Sequence, residues 1–212
     1  MKKLTALLAL AITLAFSLAS AKEVTVSVGA GQCWKQKSDP QFAVWLEDEN
    51  GNFIRTLYVT QRASKKNWRF GPKEGRPESL PVWYHKSKNE SAKTKNSPQK
   101  KSGEANIDAV TSATPKGGVI FKADIGSANC KIFAEFNTSF DYNDTYTKKN
   151  SGVNGQPSVV YMADIPSNFT ESEIRLKLTG TGSPDGSDGK IHPLSPLLTT
   201  AVKIVKAVTV CK

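Results

Sequence analysis

Short segments in which apolar and polar residues alternate recur through the chain from Glu23 onward. A period of two is typical of β-strands, because successive side chains of a strand point to opposite faces of a sheet. The segments predicted as strands are Glu23–Val28, Phe42–Leu46, Phe53–Val59, Val119–Ala123, Lys131–Phe136, Val159–Ala163, Ile174–Leu178 and Ala201–Val210. A short helix is suggested only at Glu78–Tyr84. The pattern therefore predicts an all-β protein.

Turn residues separate these segments at fairly regular spacing. Asp48–Asn52 contains Asn and Gly, which tolerate positive φ, so we expect a hairpin between the second and third segments. Val119–Ala123 and Lys131–Phe136 are predicted to form a further pair around Gly126. Seven or eight strands of this kind predict an antiparallel β-sandwich of the immunoglobulin-like type, with an open barrel as the alternative.

The first 21 residues have the three-part pattern of a secretory signal peptide. Two lysines precede a mostly apolar stretch from Leu4 to Leu18, and Ala19-Ser20-Ala21 matches the small-x-small site of a signal peptidase. The stretch is shorter than the roughly 20 residues of a membrane span, which favours a cleaved signal peptide. The alternative to a cleaved signal is an N-terminal anchor. We therefore predict cleavage before Lys22 and a periplasmic protein of residues 22–212 that does not span the membrane and folds as one domain.

Basic residues outnumber acidic residues. The formal charge is +10 and falls to +8 with the signal peptide removed, since that segment holds two lysines and no acid. Six lysines between Lys86 and Lys101 alternate with Ser, Asn, Gln and Pro, a composition that predicts a flexible, disordered insertion over residues 86–106. We expect the charge to serve solubility, and any partner to be an envelope component rather than nucleic acid.

The cysteines Cys33, Cys130 and Cys211 remain after processing. In an oxidising compartment two of them could form one disulfide, and all three pairings are open. Their spacing is too wide for a CxxC redox motif or a zinc knuckle, and buried thiols are the alternative.

Motifs of enzymatic chemistry are largely missing from the sequence. The two histidines stand in unrelated contexts, and the chain has no HExxH, GxSxG or phosphate-binding glycine loop. We therefore expect a protein without enzymatic activity. The segment from Asp185 to Lys190 superficially resembles a calcium loop, but it lacks the further ligands of one. A polar turn is the preferred interpretation, with Asp185 and Asp188 as weak metal candidates.

The segment Asp108-Ala109-Val110-Thr111-Ser112-Ala113-Thr114 resembles the attachment motif of proteins that carry covalent flavin mononucleotide (FMN). In that motif an aspartate is followed by two residues, a Ser or Thr, usually a Gly, and then Ala-Thr. A periplasmic transferase joins the flavin phosphate to the last threonine as a phosphoester. The resemblance implies that Thr114 is the acceptor, Asp108 the residue recognised by the transferase, and Thr111 the middle hydroxyl. Ser112 replaces the usual glycine, and a capped loop is the alternative.

Several longer stretches occur in a characteristic order. They are Phe42–Gly51, Ile54–Leu57, Asn67-Trp68, Leu80–Tyr84, Asp108–Thr114 and Leu197–Ala201. Together they resemble a family of predicted periplasmic proteins, domain of unknown function 2271, from about Phe42 to the C-terminus, with Cys33 and Trp34 outside. The resemblance implies an exported β-sandwich-like domain without assigned catalytic residues. Relatives tend to accompany membrane-embedded redox proteins and iron-uptake machinery, and some of these systems use covalent flavin.

The function expected from these observations is that of a non-catalytic accessory or binding domain, associated with an envelope redox or metal-uptake system. Its binding surface is predicted at Trp68, Trp83 and Tyr84, because exposed aromatic residues beside a loop are typical interaction anchors. Core packing of the tryptophans is the alternative. The second hypothesis is an electron-transfer protein with FMN on Thr114 and a membrane redox protein as partner. A metal-dependent enzyme ranks last, because no base, nucleophile pair or ligand set can be named.

Overall fold

The computed structural model describes residues 22–64, 76–95, 110–112, 115–170 and 172–212, with the main chain alone for 89–95 and 110–112. The elements in chain order are β1 (Glu23–Ala30), β2 (Gln41–Glu47), β3 (Phe53–Thr60), α1 (Pro81–Lys95), β4 (Val110–Ser112), β5 (Gly118–Asp124), β6 (Cys130–Asn137), α2 (Lys148–Ser151), β7 (Val159–Ile165), β8 (Ile174–Arg175), β9 (Lys177–Thr181), a 3-10 turn (Ala201–Lys203) and β10 (Val205–Cys211). Most of these strands begin and end within two residues of the predicted segments.

The strands form two sheets that enclose a common core. One sheet has four strands in the order β5-β1-β10-β8, and the other has six in the order β4-β3-β2-β6-β7-β9. All pairs are antiparallel except β3 and β4, which run parallel. The all-β sandwich predicted from the period-two pattern is confirmed.

Aromatic rings fill one end of the core between the sheets. The ring of Phe42 stacks on Tyr58 with centroids 5.0 Å apart and on Phe136 at 5.2 Å. Trp34, from the loop after β1, contacts the same phenylalanine ring at 5.8 Å. Burial of a side chain of this size stabilises the fold by about 3 kcal/mol, so Phe42 is a main organising residue of this end.

A second apolar cluster lies on the outer face of the six-stranded sheet, beneath α1. Strand β2 serves both clusters: Phe42, Val44 and Leu46 enter the core between the sheets, whereas Ala43 and Trp45 pack under the helix. All seven residues of β2 are therefore buried. The helix side of the cluster is formed by Leu80, Val82, Trp83 and Tyr84.

One predicted hairpin is confirmed and the other is wrong. Strands β2 and β3 pair as expected, and Gly51 in their turn has φ +78°. The pairing expected around Gly126 does not occur, because β5 pairs with β1 whereas β6 lies between β2 and β7 in the other sheet. Gly126, with φ +71°, lies in the connection that crosses from one sheet to the other.

The predicted helix and the predicted insertion overlap in the structure. Helix α1 begins at Pro81, a favoured first helical residue, and it continues to Lys95 rather than ending at Tyr84. The expectation of a disordered insertion is therefore wrong for residues 86–95, while residues 96–106 lie outside the described residues. The reason is that Lys, Glu and Ala are good helix formers, so a polar composition permits a solvated helix once its first turn is docked.

The disulfide that the sequence left open is not formed, since all three cysteines are free. Cys211 lies opposite Thr25 near the start of β1, whereas Cys33 follows the end of that strand. The part of β1 between them spans roughly 16 Å, while the Cα atoms of a disulfide lie within about 7 Å. Cys130 is buried in the core, so the alternative of a buried thiol holds for this residue.

Candidate functional site

The segment that resembles a flavin-attachment motif enters the six-stranded sheet at its edge. Strand β4 pairs in parallel with β3, which places Val110–Ser112 opposite Tyr58–Thr60. Among the described residues β4 has no second neighbour, so it is an edge strand. The main chain of Thr111 is thus placed, whereas Asp108 and Thr114 lie outside the described residues.

The chain is held a second time directly after the motif. The indole Nε1 of Trp34 donates a hydrogen bond of 2.9 Å to the main-chain carbonyl of Pro115. Trp34 is only 3% exposed, and its ring contacts Phe42. Phe42 also supports the first contact, because its main-chain N–H donates to the hydroxyl of Thr60, the residue of β3 that ends the pairing with β4. One core residue, Phe42, therefore underlies the contacts on both sides of the predicted acceptor Thr114.

Exposed lysines lie close to these two contacts. Lys35 and Lys37 follow Trp34 in the chain, and Lys116 follows Pro115. Lys203 belongs to the same region, because its carbonyl accepts a hydrogen bond of 3.0 Å from the main chain of Cys33. Lys35 is paired with Asp39 at 3.3 Å, and the charge of Lys37 acts on Asp141. Lys116 and Lys203 are the exposed lysines of this region with no ion pair among the described residues, and a positive charge of this kind favours an anionic group such as a phosphate.

Two residues of the predicted aromatic surface are buried. Trp83 is 6% exposed and Tyr84 is 5% exposed, and both belong to the cluster beneath α1. The Trp83 indole donates to the hydroxyl of Thr56 in β3 at 2.9 Å, so it attaches the helix to the sheet. The structure therefore corrects the expectation of exposed anchors at these positions, and Trp68 lies outside the described residues.

A buried carboxylate binds the start of α1. Glu135 of β6 accepts hydrogen bonds from the main-chain N–H groups of Val82 at 3.3 Å and Trp83 at 2.8 Å. The Ser158 hydroxyl donates to it at 2.6 Å. The first-turn N–H groups of a helix lack intrahelical partners, and Leu80 has no side-chain oxygen to serve as a cap. Glu135 therefore takes the place of the missing cap residue.

The environment of Glu135 changes its protonation. Burial away from water raises its pKa from 4.5 to about 7, against the opposing effect of the three donors. Its hydrogen bonds connect β6 with the first turn of α1 and with the residue before β7, so this carboxyl attaches the helix to the sheet. Sequence reasoning missed it, and the only signal was one acidic residue between the apolar side chains of a predicted core strand.

A lysine from the predicted insertion makes a defined ion pair. Lys86 Nζ lies 2.9 Å from Glu47 Oε2 and donates to the Gly51 carbonyl at 2.9 Å. The other oxygen of Glu47 accepts a hydrogen bond of 2.9 Å from the Trp45 indole. The Glu47 side chain is only 4% exposed, so this pair fixes the second turn of α1 on β2.

The weak metal candidates form a polar turn. Asp185 accepts a hydrogen bond from the main-chain N–H of Ser187, and Asp188 accepts one from Lys190 and contacts His192 at 3.0 Å. These hydrogen bonds lower the pKa of both carboxyl groups. Within the described part of the chain, no group of three or more His, Cys, Asp or Glu residues could hold a metal ion.

A cavity of about 440 Å³ lies at the opposite end of the six-stranded sheet from β4. Its lining is Glu49, Asn129, Cys130, Lys131, Asp164, Ile165 and Pro166. Burial raises the pKa of the Cys130 thiol, so the reactive thiolate is disfavoured. The lining contains no histidine that could act as a base for this thiol.

Comparison with protein families places the chain in a class of predicted periplasmic proteins, through a match over residues 23–130. The chain belongs to this family, the domain of unknown function 2271. The match runs from β1 to the first residue of β6, so it includes Cys33 and Trp34, which the sequence resemblance left outside, and it ends before Leu197–Ala201. Comparisons with curated proteins and with solved structures give no match.

The family assignment confirms the expected periplasmic location. No helix in the described ranges has the length and apolar character needed to cross a membrane. The family description names no activity, cofactor or partner.

Proposed function

We propose that this protein is a non-catalytic carrier domain of the periplasm that holds FMN on Thr114 and exchanges electrons with an envelope redox partner. The observation that carries the proposal is the fixed position of the chain on both sides of this threonine. Ser112 is paired with Thr60, and the Pro115 carbonyl is bound by Trp34. A carrier needs such a fixed attachment point, because electron transfer depends on a defined distance between cofactor and partner.

The edge position of β4 supports modification by another protein. A strand with one free edge can pair with a strand of an incoming protein, as in other cases of strand addition. The transferase would bind this edge and transfer the FMN phosphoryl group from a flavin dinucleotide to the Thr114 oxygen, so that the pyrophosphate bond of the donor breaks, a nucleoside monophosphate leaves and the threonine hydroxyl loses its proton. The exposed lysines Lys116 and Lys203 favour the negative charge that the phosphoester keeps.

The serine that replaces the usual glycine is compatible with this role. Ser112 is the last residue of β4, and a strand has negative φ, which any L-residue adopts. The conformational freedom of glycine is therefore not required at this position.

The test is the intact mass of the mature protein, produced with a flavin transferase in an exporting host. We expect an increase of one FMN less one water, together with flavin absorbance, and loss of both in Thr114→Ala. Thr145→Ala, at an exposed threonine away from β4, is the matched control and should be modified like the wild type. An unmodified mass beside an active transferase would refute the proposal.

The alternative is an accessory domain that binds a protein of a redox or metal-uptake system without a cofactor. The observation that favours it is Ile120, which is 71% exposed in the edge strand β5. Large apolar side chains on exposed edges are typical of protein contacts. Cross-linking in the envelope, with Ile120→Lys as the comparison, tests this alternative. A partner captured by unmodified wild-type protein but not by the variant would favour it.

A further inference from the structure

We propose that this protein forms an ester bond within its own chain, between the hydroxyl oxygen of Thr200 and the side-chain carbonyl carbon of Gln156. The carboxyl group of Asp141 acts as the base, and ammonia is released. The inference is independent of a flavin on Thr114, because the reaction needs no cofactor and no second protein.

The three side chains are joined by short hydrogen bonds. Asp141 follows β6, Gln156 precedes β7, and Thr200 precedes the 3-10 turn that leads to β10. The Thr200 hydroxyl donates to Asp141 Oδ1 at 2.5 Å, and the Gln156 Nε2 donates to this hydroxyl oxygen at 2.5 Å. Gln156 is 1% exposed and Asp141 is 5% exposed. A hydroxyl nucleophile, a base and an acyl group are thus in contact at a buried position.

The side-chain amide of Gln156 is oriented for attack on its carbon. The main-chain N–H of Thr199 can only donate, and it donates to Gln156 Oε1 at 2.7 Å. This donor stabilises the negative charge that the carbonyl oxygen gains when the carbon is attacked. Because the C–N bond of an amide is about 1.33 Å long, the carbonyl carbon lies within roughly 3.8 Å of the Thr200 oxygen. The distance to be closed is therefore short.

The environment of Asp141 suits it to remove the hydroxyl proton. Burial raises the pKa of its carboxyl group, against the opposing hydrogen bonds from Thr200 and Gln156 and the charge of Lys37. Its other oxygen, Oδ2, is buried and has no hydrogen-bond partner among the described residues. An unpaired negative charge is unfavourable at such a position, so uptake of a proton on Oδ1 is favoured. The main chain also holds the base in place, since the Gln156 N–H donates to the Asp141 carbonyl at 2.9 Å.

The reaction transfers the Gln156 acyl group from nitrogen to oxygen. As the Thr200 oxygen attacks the carbonyl carbon, its proton passes to Asp141 and a tetrahedral intermediate forms. The proton then moves to the amide nitrogen, the C–N bond breaks, and ammonia leaves with this proton and the two amide hydrogens. Asp141 returns to its starting state. Burial protects the ester, because it excludes the water that would hydrolyse it.

The bond has a structural consequence for the sandwich. Gln156 leads into the six-stranded sheet and Thr200 leads into the four-stranded sheet, 44 positions further along the chain. The ester therefore joins the two sheets covalently. In a chain whose three cysteines are free, it takes the role that a disulfide has in many exported proteins.

The test is the intact mass of the mature protein, purified from an exporting host that has no flavin transferase. We expect a mass lower than that of residues 22–212 by one ammonia, and a tryptic digest in which peptides 150–175 and 191–203 are joined. Thr200→Ser keeps the nucleophile and should also lose ammonia, whereas Thr200→Val and Asp141→Asn should retain the full mass. A folded wild-type protein of full mass, with the two peptides separate, would overturn the proposal.

Thr199→Ala is the matched control. It removes a hydroxyl that lies 3.4 Å from Gln156 Oε1 but keeps the main-chain N–H that donates to the same oxygen, so it should lose ammonia like the wild type. Loss of ammonia that persists in Thr200→Val would overturn the assignment of the nucleophile. A flavin on Thr114 would add its own mass without joining these peptides, so failure of the carrier function and failure of this inference are distinguishable.

Discussion

The buried carboxyl of Glu135 predicts how the stability of this protein changes with pH. The substitution Glu135→Gln keeps the size and the hydrogen-bonding plane of the side chain but cannot ionise. Its amide oxygen can accept from the Trp83 N–H, and its amide group can donate to Ser158, which rotates to accept. The Val82 N–H, at 3.3 Å from the wild-type carboxylate, then has no acceptor. We expect this unsatisfied donor to cost about 1 kcal/mol.

The magnitude follows from the two pKa values of the wild-type group. The pKa is 4.5 in the unfolded chain and about 7 in the folded protein. The folded state therefore binds the proton more tightly than the unfolded chain does. The contribution of this proton to the free energy of unfolding is fully present below pH 4.5 and is lost as the pH rises through 7. The loss across this interval is about 3 kcal/mol. The glutamine variant should consequently gain stability relative to the wild type as the pH increases.

The assay is urea unfolding of the mature protein between pH 4 and 8, followed by tryptophan fluorescence. We expect the free energy of unfolding of Glu135→Gln, relative to wild type, to rise by about 3 kcal/mol between pH 4.5 and 7.5. Glu23→Gln, at an exposed carboxylate, controls for the removal of one charge. Ser158→Ala should move the transition to higher pH, because the serine hydroxyl lowers the Glu135 pKa.

The result that refutes this reasoning is a parallel pH dependence of wild type and Glu135→Gln. It would mean that the pKa of Glu135 is the same in the folded protein as in the unfolded chain. Any remaining change in stability with pH would then have to come from the Lys86–Glu47 ion pair or from the dipole of α1.

Three further predictions concern single contacts. Lys86→Met leaves Glu47 buried without its cation and should lower the free energy of unfolding by about 2 kcal/mol in urea, an effect that should shrink in a Glu47→Gln background. Gly155→Ala should lower the free energy of unfolding by at least about 3 kcal/mol, because the added carbon meets the main-chain carbonyl of Asp141. Gly126→Ala has the same φ of +71° but faces open space, so it should lower the free energy by about 1 kcal/mol. Equal losses in the two variants would contradict the steric argument. In native protein the thiol of Cys130 should react with a maleimide far more slowly than the two other thiols, because it is buried and its pKa is raised. The rates can be followed by mass spectrometry, and equal rates for all three thiols would argue against this burial.

The strands of this fold could be predicted from sequence because alternation is a local property. Phe42–Leu46 was predicted from its apolar run, and β2 extends it by one residue at each end. The β2–β3 hairpin was also predictable, since Asn50 and Gly51 supply the turn. The partners of β5 and β6 were not, because a short connection through Gly126 is equally compatible with a hairpin and with a crossing between sheets.

The candidate site divides in the same way. The segment that resembles an attachment motif is a run of neighbouring residues, so the prediction of Thr114 as an acceptor needed the sequence alone. The two contacts that flank it depend on Trp34, which is 81 positions from its hydrogen-bond partner, and on the parallel pairing of β4 with β3.

Local patterns in the sequence predict an export signal, and they correctly predicted the β character and most strand positions, since each depends on side chains that follow one another in the chain. The folded chain was needed to see that Trp83 and Tyr84 are buried, that Glu135 serves as the helix cap, and that Lys86 binds Glu47. Side-chain hydrogen bonds of Trp83, Lys86 and Glu135 join segments that are 23 or more positions apart. The solvent exposure of a side chain depends on which distant surface covers it, and that choice is made by competition among all segments of the fold.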